Sequence, residues 1–179
     1  MSIHIDHTRT WLERAVIGLN LCPFAKAVAV KDQIRYVVTE VDTPAELMEA
    51  LATELRLLAE ADPATLDTTL LIHPKVLTDF LDFNWFMELA DQALEEMGLE
   101  GVLQVAHFHP QFQFADTLAD DITNYTNRSP YPTLHLLRED SVDRAVDAFP
   151  EASAIYEKNI DTLRTLGHAG WQALDLPKG

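Results

Sequence analysis

Apolar residues fall at helical spacing in Trp11, Leu12, Ala15, Val16 and Leu19, which predicts a first helix, capped by Asp6 or Thr8, to about residue 19. Pro23 follows closely and should stop it, leaving residues 21–25 as a tight exit loop. Residues 33–40 (QIRYVVTE) are rich in β-branched and aromatic side chains and predict a first strand. Thr43-Pro44-Ala45-Glu46 is a helix start: a capping threonine, proline at the first helical position and the acid of a capping box. Leu47, Met48, Leu51, Leu55 and Leu58 form that helix's apolar stripe, and Asp62-Pro63 ends it.

Residues 68–72 are a short apolar run, predicted as a buried second strand closed by His73-Pro74. A third helix is predicted over about 84–97, stopping at Gly98, with Trp85 and Phe86 expected in the core or a pocket wall. Residues 102–109 predict the third strand, again closed by a His-Pro pair, His109-Pro110. A long irregular stretch, 111–131, follows, with a helical turn expected around 120–125. Residues 133–137 predict the fourth strand. Two helices complete the chain, about 141–148 and 151–166, with Pro150 between them and Gly167 as the stop.

This order predicts a single α/β domain over residues 1–179: a four-stranded, mostly parallel or mixed sheet with helices packed on it. The fourth strand is reached by a loop rather than a helix, so it is the one free to run antiparallel.

Composition narrows the partners. Acidic residues number 29 against 13 basic, a net charge of −16, with no Lys/Arg stripe to reverse it locally, so nucleic acid and anionic membrane are poor partners. No apolar run reaches the roughly 20 residues of a membrane span, and residues 1–14 lack the apolar core of a signal peptide. The one cysteine, Cys22, allows no internal disulfide. A cytoplasmic protein is expected.

The repeated His-Pro pair is the main chemical clue. Ligands of open α/β sheets settle at the carboxyl ends of the strands, and proline cannot extend a ladder, so both strands should finish at their histidines. His73 and His109 would then share one edge, with backbones about 5 Å apart on neighbouring strands or about 10 Å apart two strands away. His107 points to the same face as His109 and could pair with it around a metal or ligand; the competing view is an imidazole packed under the helices. Cys22 follows the first helix, where the macrodipole raises a thiol pKa, so it suits a zinc ligand or a buried core residue better than a nucleophile.

The loop carries Phe112, Phe114, Tyr125 and Tyr131 beside Asp116, Asp120, Asp121, Asn124, Asn127, Arg128 and Ser129. Its length and aromatic content argue for a functional segment. Arg128, flanked by Asn127 and Ser129, suits the carboxylate or phosphate of a small ligand, with Tyr131 beside it; alternatively it pairs with Asp116 or Asp121 to hold the loop down. His135, between Leu134 and Leu136, has a satisfied core or surface histidine as its default role. The chain has no GxGxxG, phosphate loop, HExxH, CxxC or GxSxG.

The segments Asn20-Leu21-Cys22-Pro23-Phe24-Ala25, Ile72-His73-Pro74, Phe108-His109-Pro110-Gln111-Phe112-Gln113-Phe114-Ala115-Asp116 and NYTNRSPYPTLHLLRE at 124–139 resemble an uncharacterised bacterial and plant family known as a conserved domain of unknown function. The resemblance covers nearly the whole chain and implies one domain; it carries no catalytic residue with it.

Three functions fit these residues. The first is an enzyme on a small anionic metabolite, with His73, His109 and Asp116 as catalytic groups and Asn127, Arg128, Ser129 and Tyr131 holding the ligand. The second is a zinc or iron site drawn from His107, His109 and Cys22, with His73 and Asp116 as further candidates. The third is a non-catalytic, partner-binding domain.

Overall fold

The computed structural model describes residues 2–149, 151 and 154–179. Helix α1 (Ile3–Trp11) runs directly into a π-helical stretch, Leu12–Ile17, and a short helix α2 (Ala25–Val30) follows. Then come β1 (Ile34–Val38), α3 (Pro44–Glu60), β2 (Thr68–Ile72), α4 (Phe80–Glu96) and β3 (Leu103–Phe108). A 3₁₀ helix (Ile122–Asn127), β4 (Thr133–Arg138), α5 (Glu139–Ala148) and α6 (Ile155–Ala173) complete the chain.

The sheet is mixed, in the order β1-β2-β4-β3. Only β1 and β2 pair in parallel; β4 runs antiparallel to both of its neighbours. The loop entry into β4 explains this: with no helix to carry the chain across the sheet, β4 folds back between β2 and β3. Strands β2 and β3 therefore point the same way, and their carboxyl ends lie on one edge with β4 between them.

Alternation along the strands gives the sheet two apolar faces. On one, Leu71, Leu103, Leu134 and Leu136 pack under α3 and α4, where Leu47, Leu51, Leu55, Phe83, Phe86 and Ala90 meet them in the main core. Helix α3 starts as its sequence dictates: Thr43 Oγ1 accepts from the Glu46 N–H while Glu46 accepts from the Thr43 N–H, a capping box that contributes about 1 kcal/mol. It ends on Arg138, buried in the last position of β4, whose guanidinium donates to the carbonyls of Leu58, Ala61 and Leu66. A cation at those orphaned carbonyls satisfies the helix C-terminus and opposes its dipole.

On the other face, Trp11, Leu12, Ala15 and Val16 form a second cluster with Ile34, Tyr36, Phe108 and Trp171. The π-helical turns widen the helix here: the N–H of Gly18 reaches the carbonyl of Glu13. A Cβ on Gly18 would sit 2.3 Å from the Arg14 carbonyl oxygen, so no other residue fits without shifting the backbone.

Several boundaries differ from expectation. The first helix begins earlier and changes pitch, and α2 forms between the expected exit loop and first strand, where no element was expected. Helix α4 starts at Phe80, because Asp79 accepts from the N–H groups of Leu81 and Asp82 and caps it there. Phe86 is in the core as expected, but Trp85 is 71% exposed and shares the outer face of α4 with Leu81 and Leu89. Gly167 breaks α6 with φ 66°, as a stop should, yet helix resumes beyond it. Pro150 and the expected helix start at 151–153 lie outside the described residues, except Glu151. Among the described residues no helix is long and apolar enough to cross a membrane.

Candidate functional site

The two His-Pro histidines do finish β2 and β3 on one edge, two strands apart, with the ring of Phe83 from α4 between them: His73 lies 4.8 Å and His109 5.7 Å from its centroid. His107 joins them, 5.4 Å from Phe83 and 5.3 Å from Phe112. That edge is closed. His73 is 0% and His109 1% exposed, roofed by Phe80 and Phe83. His73 Nδ1 donates to the Val76 carbonyl (2.9 Å). His109 Nδ1 accepts from the Gln111 N–H (3.0 Å), which leaves Nε2–H to donate to the Leu77 carbonyl (3.3 Å). Burial lowers the pKa of all three histidines, that of His73 to about 4, so they are neutral near pH 7.

The loop residues expected beside them are fastened to the protein itself. Arg128 donates to the carbonyls of Phe112 and Ala119 and lies over the Tyr125 ring, 4.4 Å from its centroid. It pairs with neither Asp116 nor Asp121, because those backbone carbonyls take its donors. Asp116 is exposed, in a left-handed turn conformation at φ 64°. Ser129 Oγ donates to the Tyr131 carbonyl, and the Tyr131 hydroxyl bonds His7 Nδ1 at 2.8 Å. Cys22 packs across the sheet from His107 and His109, and no three His, Cys, Asp or Glu side chains among the described residues converge as a metal site. The expected edge is therefore assembled, with His73 and His109 buried and Arg128 bonded to backbone carbonyls of its own loop.

A mainly apolar open space lies on the other face. Between the sheet and the Trp11 cluster is a cavity of about 400 Å³. Its floor is Thr68 and Leu70 of β2, His135 and Leu137 of β4, and Phe108 of β3; its walls include Leu12 and Val16 of the π-helical turn, Val28 of α2 and Ala145 of α5. Two residues singled out by the sequence, Cys22 and Asn127, line it too. The lining is mainly apolar; among the described residues it holds no Lys or Arg, and Asp67 is its one carboxylate, accepting from Ser141 Oγ at 2.5 Å.

His135 is the polar group at the centre of the floor. Thr68 Oγ1 donates its single proton to the Leu136 carbonyl (2.6 Å), so at its other contact, 2.9 Å from His135 Nε2, it must accept. Nε2 therefore carries the ring proton. Burial lowers the His135 pKa to about 4, which keeps the ring neutral and leaves Nδ1 a lone pair. Phe108 stacks on the ring, centroids 5.6 Å apart. Sequence reasoning passed over this residue because a histidine between leucines on a strand reads as packing. The usable signal was the alternation: Leu134 and Leu136 claim the main core, so His135 must face the opposite side.

The family described as protein of unknown function (DUF1415) matches residues 3–173. The chain belongs to this family. Comparison of this DUF1415 protein with curated proteins and with solved structures gives no significant match.

Proposed function

We propose that this protein binds a small, predominantly apolar molecule in the cavity beneath the π-helical turn, with His135 and Asn127 as polar contacts. One observation carries the proposal: an apolar space of about 400 Å³ over the centre of the sheet, fitted with a few polar side chains. That volume lies within the roughly 300–1,000 Å³ of small-molecule sites, and a mainly apolar lining with sparse polar groups is their usual make-up. The π-helical stretch adds support, since such local widening recurs at functional sites, and here Leu12 and Val16 within it form the wall.

The ligand chemistry departs from the anionic metabolite expected of the histidine edge. A carboxylate or phosphate in the cavity would meet Asp67 and no Lys or Arg among the described lining residues. The unpaired thiol of Cys22 suits work in the cytoplasm, and a net charge of −16 suits a protein that avoids nucleic acid and anionic membrane.

Titration with the neutral fluorophore 1-aminoanthracene tests the binding. Wild-type protein should show saturable one-to-one enhancement. Leu70→Phe and Ala145→Phe, which put a ring into the cavity, should abolish it while melting cooperatively. No saturable binding by the wild type, or unchanged binding in both folded variants, overturns the proposal.

A further inference from the structure

We infer that the cavity selects ligands carrying a neutral hydrogen-bond donor, a hydroxyl or an N–H, which is delivered to His135 Nδ1. This rests on the binding proposal and names the ligand's polar group. Three observations converge on it. The threonine relay fixes the tautomer, since Thr68 Oγ1 spends its proton on the Leu136 carbonyl and can only accept from His135 Nε2. Nδ1 is then an acceptor, and it has no hydrogen-bond partner among the described residues. Unlike Nε2 of His73 and His107, it is not among the fully buried polar atoms left without a partner, and His135 is a half-buried residue of the cavity lining.

An acceptor at the floor of an apolar chamber discriminates by what it leaves unsatisfied. A hydroxyl or N–H completes the relay from ligand to imidazole to Thr68 to the Leu136 carbonyl. A hydrocarbon displaces water from Nδ1 and gives nothing back. A carboxylate meets a lone pair and the Asp67 side chain, with no cation lining the space among the described residues. Asn127, Gln104 and Asn159 also belong to the lining, but each amide carries both donors and an acceptor and so does not set the sign of the preference.

Displacement of bound 1-aminoanthracene by 2-naphthol, naphthalene and 2-naphthoate at pH 7.5 measures the preference, since the three share one ring system and differ in the polar group. The alcohol should bind about five- to tenfold tighter than either of the others, the effect of one buried hydrogen bond. In His135→Phe the preference for 2-naphthol over naphthalene should vanish, whatever the absolute affinities of the two. Equal affinities, or tightest binding by 2-naphthoate, would overturn the inference and leave the binding proposal standing. Failure of 1-aminoanthracene to bind at all would overturn both. A long-range ¹H–¹⁵N correlation spectrum of the wild type checks the tautomer independently of the variant: Nε2 protonated and Nδ1 bare is expected, and the reverse assignment defeats the inference.

Discussion

His73 offers a quantitative test of the closed histidine edge. Its ring is 0% exposed, packed edge-on to Phe83, with Nδ1–H on the Val76 carbonyl and Nε2 without a partner. Burial, reinforced by the positive charge of a protonated His109 nearby, lowers its pKa from 6.5 to about 4. The unfolded chain therefore takes up a proton as pH falls through 6.5, and the folded chain does not until about 4. Stability is full above pH 6.5 and declines below it; at about 1.4 kcal/mol per decade the whole decline approaches about 3.5 kcal/mol, and about 2.5 kcal/mol of it is spent by pH 4.5. Urea unfolding followed by tryptophan fluorescence at pH 7.5 and 4.5 gives the total loss, which includes contributions from His107, His109, His135 and the carboxylates. His73→Asn keeps a donor for Val76 and removes the titration, so its loss over the same interval should be smaller by about 2.5 kcal/mol. Parallel pH profiles for wild type and variant would refute the placement of His73 in a closed, neutral site.

The remaining tests address the scaffold. His109→Ala should destabilise by about 2–4 kcal/mol, because it empties a buried ring site and strands the Leu77 carbonyl and Gln111 N–H; an unchanged unfolding midpoint would contradict that. Arg138→Met should cost about 2–3 kcal/mol by orphaning the carbonyls of Leu58, Ala61 and Leu66, read as a lower urea midpoint with unchanged slope. Gly18→Ala should cost about 1–3 kcal/mol and weaken 1-aminoanthracene binding, since its methyl group collides with the Arg14 carbonyl beside the cavity wall. Alkylation of Cys22 by N-ethylmaleimide should slow several-fold when 1-aminoanthracene is bound, and an unaltered rate would place the probe elsewhere.

Much of the fold was legible because its signals are local. Thr43-Pro44-Ala45-Glu46 fixes the start of α3 whatever surrounds it, and the five-residue run of β2 admits few other conformations. The His-Pro pairs correctly placed two histidines on one edge, since proline ends a ladder for reasons internal to the chain. What the sequence could not convey was depth. Whether that edge is open depends on where Phe80 and Phe83 fall, and this follows from Asp79 capping α4 a turn earlier than the apolar period suggests. Arg128 likewise has no sequence signal distinguishing an anion from the carbonyls of Phe112 and Ala119, residues 16 and 9 positions away. The cavity is harder still, being a gap between the sheet and helices from both ends of the chain. Only the strand alternation, which turns His135 away from Leu134 and Leu136, hinted at it.

Chemical-shift mapping with 1-aminoanthracene tests the central claim most directly. Saturable perturbation concentrated on Cys22, Leu70, Phe108 and His135, with His73 and His109 unmoved, is the expected result. Perturbations confined to the outer face of α4 around Trp85, or none at all, would contradict a ligand site on the floor of the sheet.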